Sequence, residues 1–111
     1  FRRVLFRSDL GDFKAAVDSL NQLLKARPDM TFARYALGVA YFKSGDPANA
    51  EKSFRTAIEA EPANVNYLMA LGDVLISRKN GKEAKKVADQ IRAISPETAA
   101  QLDAKIKLAR L

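Results

Sequence analysis

Neither histidine nor cysteine occurs among the 111 residues, so the usual general bases, thiolate nucleophiles and zinc ligands are missing from the outset. Ser8, Ser19, Ser44, Ser53, Ser77 and Ser95 have no imidazole to activate them. Asp12, Asp46, Glu51 and Glu83 are scattered at helix starts and exposed positions, which suits caps and helix dipoles rather than a paired acid and base. Gly81-Lys82 lacks the upstream Gly and the following Ser or Thr of a phosphate loop. The densest chemistry is a basic run, Arg78, Lys79, Lys82, Lys85 and Lys86, of a kind that can meet phosphate or an acidic surface. No aromatic interleaves the run to stack on bases. Its place at a turn and along an outward helix face reads more simply as a solvated surface. Catalytic, metal and cofactor sites therefore find no foothold, and the sequence does not point to nucleic acid.

The elements that carry these residues follow a 34-residue period. Pro28, Pro62 and Pro96 share one register, as do Gly11-Asp12 with Gly45-Asp46, Leu37-Gly38 with Leu71-Gly72, and Ala16 with Ala50 and Ala84. Leu20, Phe54 and Ala88 align likewise, and so do Leu23, Ala57 and Ile91. Each unit reads as two helices. In the middle unit Phe32, Tyr35, Leu37, Val39, Tyr41 and Phe42 crowd the first segment, with Ala36, Gly38 and Ala40 between them. Gly45 suits the left-handed residue that closes a helix, Asp46 the cap of the next, and Pro47 its first position. Ala50, Phe54, Ala57 and Ile58 then form one apolar stripe that Pro62 ends.

The third unit repeats the plan. Its first helix, Val65 to Arg78, buries Leu68, Leu71, Val74 and Leu75. Its second, Glu83 to Ala93, buries Ala84, Val87, Ala88 and Ile91, with Ile94 at the margin. Lys79 and Asn80 replace Gly45 and Asp46, so that turn is weaker in punctuation. The first unit shows only a second helix, Asp12 to Ala26. A final helix from about Glu97 to Leu111 places Ala99, Leu102, Ile106 and Ala109 on one face. Lys105 stands in register with Leu37 and Leu71, which suits a polar-backed cap or the start of a truncated unit.

Hydrophobic residues make up 48% and charged residues 29%, a balance that supports a folded domain. No apolar run reaches the roughly 18 residues of a membrane span, so no membrane insertion by these residues is expected. The absence of cysteine assigns neither cytoplasm nor periplasm. The formal charge is +6, from 19 Lys and Arg against 13 Asp and Glu. Phe1 to Ser8, FRRVLFRS, resembles a translated sequencing-adapter string and is expected to be a non-native segment. Taking Arg2, Arg3 and Arg7 from the 19 cations leaves 16 against 13, which weakens the electrostatic case for a polyanion.

The middle unit's Leu37-Gly38, Tyr41, Ala50, Phe54, Ala57 and Pro62 resemble the tetratricopeptide repeat, with Arg34 at the usual Trp position. The third unit keeps Leu71-Gly72, Ala84 and Pro96, with Leu75, Ala88 and Ile91 at the other positions. The resemblance implies an all-α solenoid, a superhelix of antiparallel helix pairs with a C-terminal capping helix. Its parts would be 9–28 (the second helix of a partial repeat), 29–62, 63–96 and 97–111 (a cap or truncated repeat). Gly38, Gly72, Ala50 and Ala84 would let paired helices approach.

In this family the first helices line a concave groove for a partner's peptide or helix. Carried over by position, the groove residues are Phe32, Tyr35, Val39, Phe42 and Lys43 in one unit, and Asn66, Met69, Asp73, Ile76 and Ser77 in the next. Tyr35, Val39 and Phe42 could equally pack against neighbouring units, whereas Asn66, Met69 and Asp73 are expected at the surface. A clamp for a partner's C-terminal carboxylate is disfavoured, because the corresponding positions are Tyr35, Ala36, Val39, Asn66, Ala70 and Asp73, and Asp73 repels anions. The implied function is a protein–protein interaction scaffold. The alternative is an assembly or regulatory segment of a larger enzyme or secretion-system protein.

Overall fold

The computed structural model describes residues 10–111, with side chains from Asp12 onward. The expectation for Phe1 to Ser8 lies outside the described residues. Those described form six helices and no strand: α1 (Leu10–Ala26), α2 (Thr31–Lys43), α3 (Pro47–Ala60), α4 (Val65–Ser77), α5 (Gly81–Arg92) and α6 (Pro96–Leu108). Each packs against its neighbours in sequence, and α4 also meets α2 and α6. This is an all-α solenoid in which short turns reverse the chain between successive helices.

Local side-chain chemistry starts four of these helices. Asp46, Asn64, Asn80 and Ser95 each accept a hydrogen bond from the backbone N–H three residues on, at 3.2, 3.2, 3.2 and 3.4 Å. Such caps satisfy donors that the first helical turn cannot use internally. The ends of α2, α4 and α6 share one stop. Asp46 N donates to Tyr41 O at 2.9 Å, Asn80 N to Leu75 O at 2.8 Å, and Leu111 N to Ile106 O at 3.2 Å. The residue before each donor is left-handed: Gly45 at φ 88°, Lys79 at 59° and Arg110 at 59°. Lys79 and Asn80 therefore build the same turn as Gly45 and Asp46. Arg34 stands where the repeat pattern has Trp, and its Nη2 donates to Pro28 O at 3.0 Å, tying α2 to the turn before it.

The core follows the apolar register. Ala50, Phe54 and Ala57 of α3 are buried, as are Leu68, Leu71, Val74 and Leu75 of α4. Ala84, Val87, Ala88 and Ile91 of α5 and Ala99, Leu102 and Ile106 of α6 extend it, and Leu24, Ala33 and Leu37 form a second buried cluster between α1 and α2. Two marginal expectations fail. Ile94 is 44% exposed, because α5 ends at Arg92 and the chain turns before Ile94 reaches the core. Ala109 is exposed because it caps α6 rather than continuing its buried face.

The period itself breaks at α6. Helix α4 begins 34 residues after α2, but α6 begins only 31 after α4. Pro62 follows a helix end, whereas Pro96 opens a helix behind its Ser95 cap. The two repeat glycines, Gly38 and Gly72, also meet different helices. A Cβ at Gly38 would lie 2.6 Å from Phe54 of the paired helix, as expected. A Cβ at Gly72 would instead lie nearest Leu102 of α6, at 2.7 Å. The cause is volume: α5 carries Ala88 in register with Phe54, and Leu102 fills the space that a smaller side chain leaves.

Candidate functional site

Five of the ten groove candidates come together. Phe32 and Tyr35 of α2 and Asn66, Met69 and Asp73 of α4 line one open depression of about 470 Å³. Ala70, one of the positions corresponding to the carboxylate clamp, shares that lining, as do Asn64 and Tyr67, which positional transfer missed. A signal for Tyr67 was present, since it stands in register with Ala33, and an aromatic in a buried alanine's place must displace something.

The wall is an aromatic ladder running from core to solvent. Phe54, 1% exposed, lies 5.7 Å from the Tyr35 ring centroid, and Tyr35 stacks on Tyr67 at 4.9 Å and 26°. Phe32, 5.9 Å from Tyr35, is 68% exposed. The exposed phenyl thus neighbours a ring, Tyr35, whose own contacts reach the core. Burial pushes the Tyr67 hydroxyl above its ordinary pKa, with the Glu61 carboxylate and Tyr35 adding to the shift.

The other five candidates lie elsewhere. Val39, Phe42 and Ile76 are half-buried and pack against the core. Lys43 is exposed, with its Nζ 5.7 Å above the Phe13 ring of α1. Ser77 is the exposed last residue of α4. Asp73 is less free than expected: Lys105 of α6 donates to its Oδ1 at 2.9 Å. On α6 Leu102 is buried in the core while Lys105 reaches Asp73.

Two residues of the basic run, Arg78 and Lys86, form ion pairs. Arg78 Nη1 lies 2.9 Å from Glu51 Oε1, Glu51 also holds Arg55, and Lys86 lies 3.4 Å from Glu83. This chain of exposed pairs crosses α3, the end of α4 and α5, the arrangement of a solvated face. Arg92 bridges α5 and α6 through Asp103 at 2.7 Å. Hydrogen bonds to Asp103 first and to Asp89 next hold its guanidinium pKa above the ordinary value. Among the described residues no group of three or more acidic, His or Cys side chains could hold a metal ion. No described helix is long and apolar enough to cross a membrane.

Stacked helix pairs, small residues at close crossings and an open face between alternate helices define an α-helical repeat protein, a class built to present surface rather than enclose a substrate. The chain belongs to the tetratricopeptide repeat family, whose model matches residues 7–52 and 35–99. No match is found among curated proteins. Repeats of this family generally act as protein–protein interaction modules.

Proposed function

We propose that the face between α2 and α4 receives a peptide or helix of a partner protein, and that the chain binds rather than catalyses. The observation that supports this reading most directly is Phe32: a large apolar side chain, 68% exposed, at the end of a ladder anchored on Phe54. Rigid exposed aromatics beside a depression are the usual anchors of protein interfaces, since little side-chain freedom is lost when they are covered. Met69, on the same lining, adds an adaptable apolar contact.

A random peptide library selected on the full chain tests the reading. Selected peptides should bind about tenfold or more weakly to Phe32→Ala and Met69→Ala, while both variants keep the parent's helical circular-dichroism spectrum. Peptides indifferent to both substitutions, or binding that collapses as salt rises and depends on Lys82 and Lys85, would overturn it.

A further inference from the structure

We propose that the depression between α2 and α4 is a receptor for an arginine side chain of the partner, an inference that rests on the groove reading above. Its walls are aromatic, from Phe32, Tyr35 and Tyr67, and its polar groups include the Asn66 amide and the Asp73 carboxylate. Among the described residues no cation lines it. Guanidinium is planar and weakly hydrated, stacks on aromatic faces, and pairs with carboxylates through a fork of N–H donors. Those are the complementary properties of this lining.

The surrounding charge favours the same ligand. Asn64, on the rim, donates through Nδ2 to Glu61 Oε1 at 3.3 Å, which brings a second carboxylate beside the depression. Lys105 holds Asp73 Oδ1 from α6, and the Asp73 side chain stays 36% exposed. A carboxylate has acceptor sites for more than one donor, so Asp73 can bridge Lys105 and an incoming guanidinium. An anionic side chain would face Asp73 and Glu61. A purely apolar side chain would cover Asp73 and Asn66 without supplying donors, and covered polar groups without partners weaken binding.

The test uses peptides selected on the full chain, each made with arginine and with citrulline, which keeps the shape and removes the charge. Arginine should be enriched at one position, and citrulline there should weaken binding about tenfold. Asp73→Asn should weaken the arginine peptide by a similar factor and leave the citrulline peptide nearly unchanged. Lys105→Gln, which frees Asp73 Oδ1, should bind the arginine peptide at least as tightly as the parent. Three results would overturn the arginine site while leaving the groove reading intact. They are selected peptides that need Phe32 but carry no arginine, equal affinity for the citrulline form, and loss of arginine binding in Lys105→Gln with retained fold. Peptides that ignore Phe32 and Met69 altogether would overturn both.

Discussion

At the scale of single residues, two glycines in identical register have different neighbours, and the difference is measurable. A methyl at Gly38 meets the Phe54 ring at 2.6 and 2.7 Å, and that ring is fully buried and wedged against Tyr35. A methyl at Gly72 meets the terminal methyls of Leu102 at 2.7 and 2.9 Å, the far end of a flexible side chain. Overpacking costs about 1–3 kcal/mol. Gly38→Ala should fall at the high end and Gly72→Ala at the low end, and urea unfolding of the two variants measures the gap. Tyr67 gives a second outcome. Its folded pKa is raised above the ordinary 10.0, so the folded chain retains the phenolic proton longer than the unfolded chain. Its contribution to stability is full below about pH 10 and declines as pH rises through the folded value. Melting curves taken above that pH should show a shallower loss of stability with pH in Tyr67→Phe than in the parent.

At the scale of elements, the helices are largely legible because their ends are set by nearby residues. Asp46-Pro47 announces α3 in the sequence, whereas Asn80 caps α5 through the same kind of three-residue hydrogen bond and starts it at Gly81, two residues before the expected Glu83. The stop after α4 was harder to read, since Lys79 adopts a backbone conformation that glycine favours. A non-glycine residue there costs about 1–2 kcal/mol, offset partly by glycine's greater freedom when unfolded. Lys79→Gly should therefore raise stability by about 0.5–1 kcal/mol. Gly45→Ala should lower it by about 1 kcal/mol although nothing lies within 4 Å of the added methyl. Thermal melts of both variants would show whether backbone conformation, rather than contact, governs these turns. The start of α6 carried its own signal in Ser95-Pro96, a cap followed by a first-turn proline. The 34-residue spacing of the prolines masked that signal by giving Pro96 the terminating role of Pro62.

Across the whole molecule, stability is unevenly distributed. Ala16, Leu20 and Leu23 of α1 stand in register with Ala50, Phe54 and Ala57 of α3. Those three are 0, 1 and 0% exposed, whereas Leu23 is 38% exposed and Ala16 and Leu20 are only half-buried. Amide hydrogens of α1 should therefore exchange faster than those of α3, α4 and α5, and an exchange profile flat across the helices would contradict this distribution. The opposite end is tied by Arg92–Asp103 and Asp73–Lys105, which connect α6 to α5 and α4. The sequence by itself determined the helical period, the small residues at close crossings and the Asp46 cap. Each of these depends on spacing along one helix or on a hydrogen bond within a few residues. Only the tertiary structure decided that Leu102 fills the space facing Gly72, that Lys105 reaches Asp73, and that Tyr67 joins Tyr35 and Phe32 in one aromatic wall. Those outcomes depend on volumes and charges contributed by helices far apart in sequence, and a repeat register describes where a residue recurs without fixing what its neighbours leave for it to fill.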